Sequence, residues 1–118
     1  MMNQEQKLDA EFAKFGMRPY IYHYREAVKP FSAVTIVAPS HSEYTFANLA
    51  CFVRSGIEGA RRNTCPTSYL LYYLAGVGIH GVAICDRRDN FSRRRGRVIA
   101  KGRLLKYLEE QEVEFHQG

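Results

Sequence analysis

The chain has no tryptophan, only three cysteines and only four prolines among its 118 residues. Three cysteines cannot all pair, which disfavours a disulfide-stabilised secreted domain. No apolar run approaches the roughly 20 residues that a transmembrane helix needs. No signal segment opens the chain, and no linker or low-complexity tract divides it. We therefore expect one domain over residues 1–118, in the reducing cytoplasm and not in a membrane.

Metal-ligand spacing is missing as well. Zinc sites use three or four ligands, generally with a closely spaced pair, and the sequence has no Cys-x-x-Cys, His-x-x-x-His or Cys-x-x-His. His41 and Glu43 match the first half of the nucleobase-deaminase signature, but Cys65 lacks the second thiol that this signature requires. We predict no metal and no cofactor, and interpret residues 40–43 as a capping box that starts a helix.

Hydrophobic periodicity predicts an α+β domain with the order α-ββα-ββα. We expect an antiparallel or mixed sheet with the helices on one face. A hairpin is the simpler interpretation of residues 68–85, although 69–74 also fit a helix. In the last helix, Gly102 falls on the apolar side and predicts close contact with the sheet. The predicted helices are 3–15, 46–60 and about 91–112, and the predicted strands are 19–28, 31–38, 68–75 and 79–85.

The positive charge is concentrated in one segment. The formal net charge is +5, but residues 87–106 hold nine basic residues against one acid, Asp89, and therefore carry +8. The remaining residues carry −3. A polyanion would be repelled by most of such a protein, so the distribution predicts a local site for an anion and not a generally basic surface.

The basic segment runs from a predicted strand into the last helix. Unpaired N–H groups and a partial positive charge mark a helix N-terminus, so acids normally occupy its first turn. Arginines stand there instead, an arrangement that becomes favourable when a phosphate binds. Phe91 offers a surface for base stacking. The alternatives are a solvated basic face without a ligand and, for Phe91, a core anchor. The predicted ligand-binding residues are Arg87, Arg88, Asn90, Phe91, Ser92, Arg93, Arg94, Arg97 and Arg103.

A longer pattern covers residues 81–106. It is a strand ending in Cys, then Asp-x-Phe, a basic run, Gly-Arg and Ala-x-x-Arg. This pattern resembles small phage and prophage-encoded proteins, in particular the phage sponge proteins that sequester cyclic-nucleotide immune signals, although Arg87 stands where a Pro is expected. The resemblance implies an oligomeric α+β protein in the host cytoplasm, without catalysis, whose nucleotide contacts include Phe91, Arg97 and Arg103. The matching positions are Cys85, Asp89, Phe91, Arg93–Arg95, Gly96, Arg97 and Ala100–Arg103.

Two functions follow from these features. The first is non-enzymatic binding and sequestration of a small phosphorylated or cyclic nucleotide by a homo-oligomer. The alternative is binding of nucleic acid or of a nucleic-acid mimic, as in an inhibitor of a nucleic-acid-guided defence complex. An enzyme ranks third because no nucleophile and base are visible at a productive spacing.

Overall fold

The structure is a computed structural model that describes residues 2–25, 31–39, 46–86 and 92–117. Within these ranges the α+β class is confirmed. Among the described helices, none has the length and apolarity to cross a membrane. The elements are α1 Gln4–Lys14, β1 Tyr20–Tyr24, β2 Phe31–Ala38, α2 Phe46–Arg61, α3 Pro66–Gly76, β3 Gly81–Asp86 and α4 Arg93–Gln117.

Helix α1 has well-defined ends. Asn3 and Gln6 form a capping box, in which the Gln6 backbone N–H donates to Asn3 Oδ1 at 2.9 Å and the Asn3 N–H donates to Gln6 Oε1 at 3.0 Å. These bonds satisfy two of the free donors at the helix start. Gly16, with φ of 67°, takes the left-handed conformation directly after the helix, as its position in the sequence predicts.

The three described strands form an antiparallel sheet in the order β1-β2-β3. In the central strand, Val34 and Ile36 join a core cluster with α2 and α3. Val37 joins a second cluster with α1 and α4. Alternate residues of a strand point to opposite faces, so the sheet carries helices on both faces. The prediction that the helices share one face is therefore wrong, because β2 is apolar in both of its alternating sets, as a doubly covered strand must be.

Residues 66–76 form helix α3, so the predicted hairpin over residues 68–85 is wrong and its helical alternative is correct for this segment. Pro66 occupies the first turn, where its missing N–H has no cost. Leu70 and Leu74, four residues apart, are fully buried. Gly56 of α2 lies so close that a Cβ there would be 2.6 Å from Leu70 Cδ1. The small residues of α2 thus allow the two helices to pack closely.

Helix α4 approaches the sheet through glycines other than the one predicted. A Cβ on Gly96 would lie 2.6 Å from Thr35 Oγ1, and one on Gly81 would collide with the Val37 carbonyl oxygen and lie 2.9 Å from Leu104 Cβ. A Cβ on Gly102 would have no neighbour within 4 Å. The expectation for Gly102 is therefore wrong. The close contact at Gly96 instead fixes the first turn of α4 directly over β2.

Candidate functional site: a basic cluster at the start of helix α4

Helix α4 begins with a serine cap followed by arginines. Ser92 Oγ accepts a hydrogen bond from the Arg95 backbone N–H at 3.3 Å, and the Ser92 carbonyl accepts from the Gly96 N–H at 2.9 Å. No acid stands in the first turn of the helix. Ser92, one of the predicted ligand-binding residues, thus caps the helix, and the arginines that follow it are held in helical geometry.

Three consecutive arginines of this turn extend into solvent. Arg93, Arg94 and Arg95 are all exposed. Within the described ranges no side chain or carbonyl accepts a hydrogen bond or forms an ion pair with their guanidinium groups. These three like charges stand at the positive end of the helix dipole, so the described residues leave the positive charge here uncompensated.

Arg97 has an intramolecular partner. Its Nε donates to Glu5 Oε2 at 2.7 Å and its Nη2 donates to Glu5 Oε1 at 3.2 Å, a two-pronged contact between α4 and α1. Lys101, with a side chain only 5% exposed, donates to Glu5 Oε2 at 3.2 Å and to Asp9 Oδ1 at 2.7 Å. The pKa of Glu5 is lowered to about 2, chiefly by the hydrogen bond from Arg97 and further by Lys101. We call Glu5, Asp9, Arg97 and Lys101 the α1–α4 ion-pair network.

Arg103 forms its hydrogen bond with strand β3, away from the first turn of α4. Its Nη1 donates to the Val82 carbonyl of β3 at 2.6 Å. It lies ten residues beyond Arg93, which is about 15 Å along a helix, so the structure does not bring it to the first turn. The remaining predicted site residues, Arg87, Arg88, Asn90 and Phe91, lie outside the described residues.

Sequence reasoning missed two residues beneath the cluster. His23 of β1 pairs with Thr35 of β2, and His23 Nδ1 lies 2.9 Å from Thr35 Oγ1. Burial, followed by the charges of Arg93 and Arg97, lowers the pKa of His23. The positive potential of the arginines therefore reaches the neighbouring strand. Nothing in the local pattern indicates this proximity, because residues 23, 35 and 93 meet only through the sheet register and the docking of α4.

The His23 and Thr35 contact has the spacing of a base and a hydroxyl nucleophile, but the hydroxyl is inaccessible. Thr35 is 1% exposed and lies against Gly96. A substrate atom could not reach its Oγ1 without displacing α4. Among the described residues, no three His, Cys, Asp or Glu side chains are grouped to hold a metal ion. The described cluster thus offers exposed guanidinium groups, which can bind an anion.

Comparison of the chain with protein-family models, with curated proteins and with solved structures found no match. The resemblance of residues 81–106 to phage sponge proteins consequently stays a prediction.

Proposed function

We propose that this protein binds a small phosphorylated or cyclic nucleotide, without converting it, through the arginines at the start of α4. The observation that carries the proposal is the run of three exposed arginines, Arg93–Arg95, for which the described residues supply no acceptor. Guanidinium groups bind phosphate oxygens through paired hydrogen bonds. A phosphate at this position would gain from these groups and from the helix start together.

The surroundings of the cluster favour a small ligand over a long polyanion. Helix α1 packs along α4, and its carboxylates neutralise the next basic residues, Arg97 and Lys101. Asp9, half exposed, adds negative charge at the surface there. A nucleic-acid strand that followed α4 from Arg93 would find the next basic residues already paired with acids within about two helical turns. A ligand confined to the first turn of α4 does not need those further positive charges.

Sequestration without turnover is the activity that the sponge resemblance implies, and the buried position of Thr35 supports it. Homo-oligomerisation is part of the same proposal, since a ligand with several phosphates is better matched by arginine clusters from more than one copy.

A paired substitution tests the proposal. Arg93→Ala with Arg94→Ala removes two guanidinium groups from the cluster, and each charged hydrogen bond contributes about 1.5 to 3 kcal/mol. We expect affinity for a cyclic dinucleotide, measured by isothermal titration calorimetry, to fall at least about 100-fold. The matched control is Arg61→Ala with Arg62→Ala at the end of α2, which removes the same charge from exposed positions. We expect this control to bind like the wild type.

The same titrations, repeated at several salt concentrations, distinguish a small nucleotide ligand from nucleic acid. A nucleic-acid ligand predicts a steep loss of affinity with salt, close to one logarithmic slope unit for each phosphate contacted. A small ligand predicts a shallow slope. Chromatography of the recovered nucleotide measures turnover, and cleavage would contradict sequestration. Equal affinity in the two double variants would overturn the assignment of the site to the start of α4.

A further inference from the structure

We propose that His23 is a ligand-contacting residue of the arginine cluster at the start of α4, Arg93–Arg95, and that it takes up a proton when a phosphodiester anion binds there. This inference rests on the proposed function and adds a residue and a regulation to the same site. It comes from the packing of three elements, β1, β2 and the first turn of α4.

The position of His23 is fixed by contacts on the sheet. The residue lies on the face of the sheet that α4 covers, opposite Thr35 in the antiparallel register. Gly96 lies directly on the Thr35 side chain. Arg93 lies three residues before Gly96 and four residues before Arg97, spacings at which side chains are neighbours on a helix, and the charges of both arginines act on His23. The ring of His23 is therefore beside a pair of arginines and is held by a buried hydroxyl.

The hydrogen bond to Thr35 is compatible with both protonation states of the ring. A hydroxyl is a donor and an acceptor. It can donate to Nδ1 of the neutral imidazole, and it can accept from Nδ1–H of the imidazolium after rotating about its C–O bond. Proton uptake consequently requires no movement of the backbone. The protonated ring would then add a third positive group beside Arg93 and Arg97.

The charges around His23 explain why an anion should change its protonation. Helix α4 contributes Arg93 and Arg97, and α1 contributes Glu5, which is already bound to Arg97. Strand β2 contributes only the uncharged Thr35. The two arginines oppose protonation of the ring in the absence of a ligand. A bound phosphodiester compensates their charge and adds an attraction for the imidazolium, so binding of the anion and of the proton should favour each other.

The experiment measures the affinity for a cyclic dinucleotide by calorimetry between pH 8 and pH 5. The phosphodiesters of this probe keep the same charge over that range, so any pH dependence comes from the protein. Glu5, with a pKa of about 2, also stays ionised. We expect the wild-type affinity to rise about tenfold as the pH falls, which corresponds to a pKa increase of about one on binding. His23→Gln, whose amide can still bond to Thr35, should bind with almost no pH dependence.

His80→Gln is the matched control. His80 is also half buried with a lowered pKa, but it stacks on Tyr107 with ring centroids 3.6 Å apart, about 20 Å along α4 from Arg93. This variant should keep the wild-type pH dependence. The His23 Cε1–H resonance, followed by NMR with and without the probe, reports the protonation directly and also shows that the fold is intact.

The outcomes are distinguishable. A wild type that binds with the same pH dependence as His23→Gln, or a His23 resonance whose titration is unmoved by the probe, overturns the role of His23 and leaves the proposed function standing. A wild type that binds neither the cyclic dinucleotide nor other nucleotides overturns both. Loss of the pH dependence in His23→Gln and its retention in His80→Gln support the inference.

Discussion

Replacement of Glu5 by glutamine tests whether the α1–α4 ion-pair network stabilises the fold. The Glu5 carboxylate accepts two hydrogen bonds from Arg97 and one from the nearly buried Lys101. The Glu5 side chain is only 18% exposed. The amide of the Glu5→Gln variant would keep an acceptor but lose the charge. Arg97 would lose its ionic partner, and Lys101 would keep only Asp9, at 2.7 Å.

The pKa of Glu5 gives the magnitude. A folded-state pKa of about 2, against an ordinary value of 4.5, corresponds to at most about 3 kcal/mol of stabilisation of the ionised form. Because the lowered pKa belongs to an acid, this contribution is complete above pH 4.5 and is lost as the pH falls towards 2. The retained acceptor and partial solvent contact reduce the net effect, so we expect Glu5→Gln to lower the free energy of unfolding by about 2 kcal/mol at pH 7.

Urea unfolding, followed by circular dichroism at pH 7, 4 and 2.5, measures this difference. The gap between wild type and Glu5→Gln should narrow steadily over that series. Glu11→Gln on the same helix is the control, since Glu11 pairs with the exposed Lys14 at the surface, and exposed pairs contribute little. A gap that is independent of pH, or equal effects of the two substitutions, would refute an electrostatic role for Glu5.

Two further predictions concern packing. Gly96→Ala places a methyl group against the buried Thr35, and we expect the free energy of unfolding, measured with urea, to fall by about 1 to 3 kcal/mol. Gly102→Ala has open space around it and should be neutral or stabilising by up to about 1 kcal/mol. The opposite order would show that α4 does not contact β2 through Gly96. Leu70→Ala leaves a cavity at a fully buried position of α3 and should lower the free energy of unfolding by about 2 to 5 kcal/mol. Tyr72 is 85% exposed on the same helix, so Tyr72→Ala should change thermal stability little. Similar losses in both variants would contradict the orientation of α3.

The local signals of the sequence predict the elements better than their arrangement. The spacing of Leu8, Phe12 and Phe15, followed by Gly16, predicts α1, and the apolar run 31–38 predicts β2. Segment 66–76 is apolar on most sides, so its period does not distinguish a strand from a helix, and only packing against the glycines of α2 decides it. The continuous apolar character of β2 is a signal for helices on both faces that the prediction of one face did not use.

In the candidate site, too, the sequence locates the residues but not their tertiary contacts. Charge counting locates the basic segment, because charge is a local property of the chain. It does not distinguish Arg97, which is paired with an acid 92 residues away, from the exposed Arg93 and Arg94 four and three residues before it. The partner of Arg97 follows from the docking of α1 on α4, and that contact depends on the tertiary fold.

The pairing of Arg97 changes what a substitution there would mean. Sequence reasoning predicts that Arg97 contacts the ligand, and the resemblance implies the same. In the structure its guanidinium holds α1 through Glu5, so Arg97→Ala would disturb the α1–α4 ion-pair network as well as any phosphate contact. Arg93 and Arg94 have no such second role among the described residues. A loss of binding is therefore attributable to the site itself only when it is measured at Arg93 and Arg94.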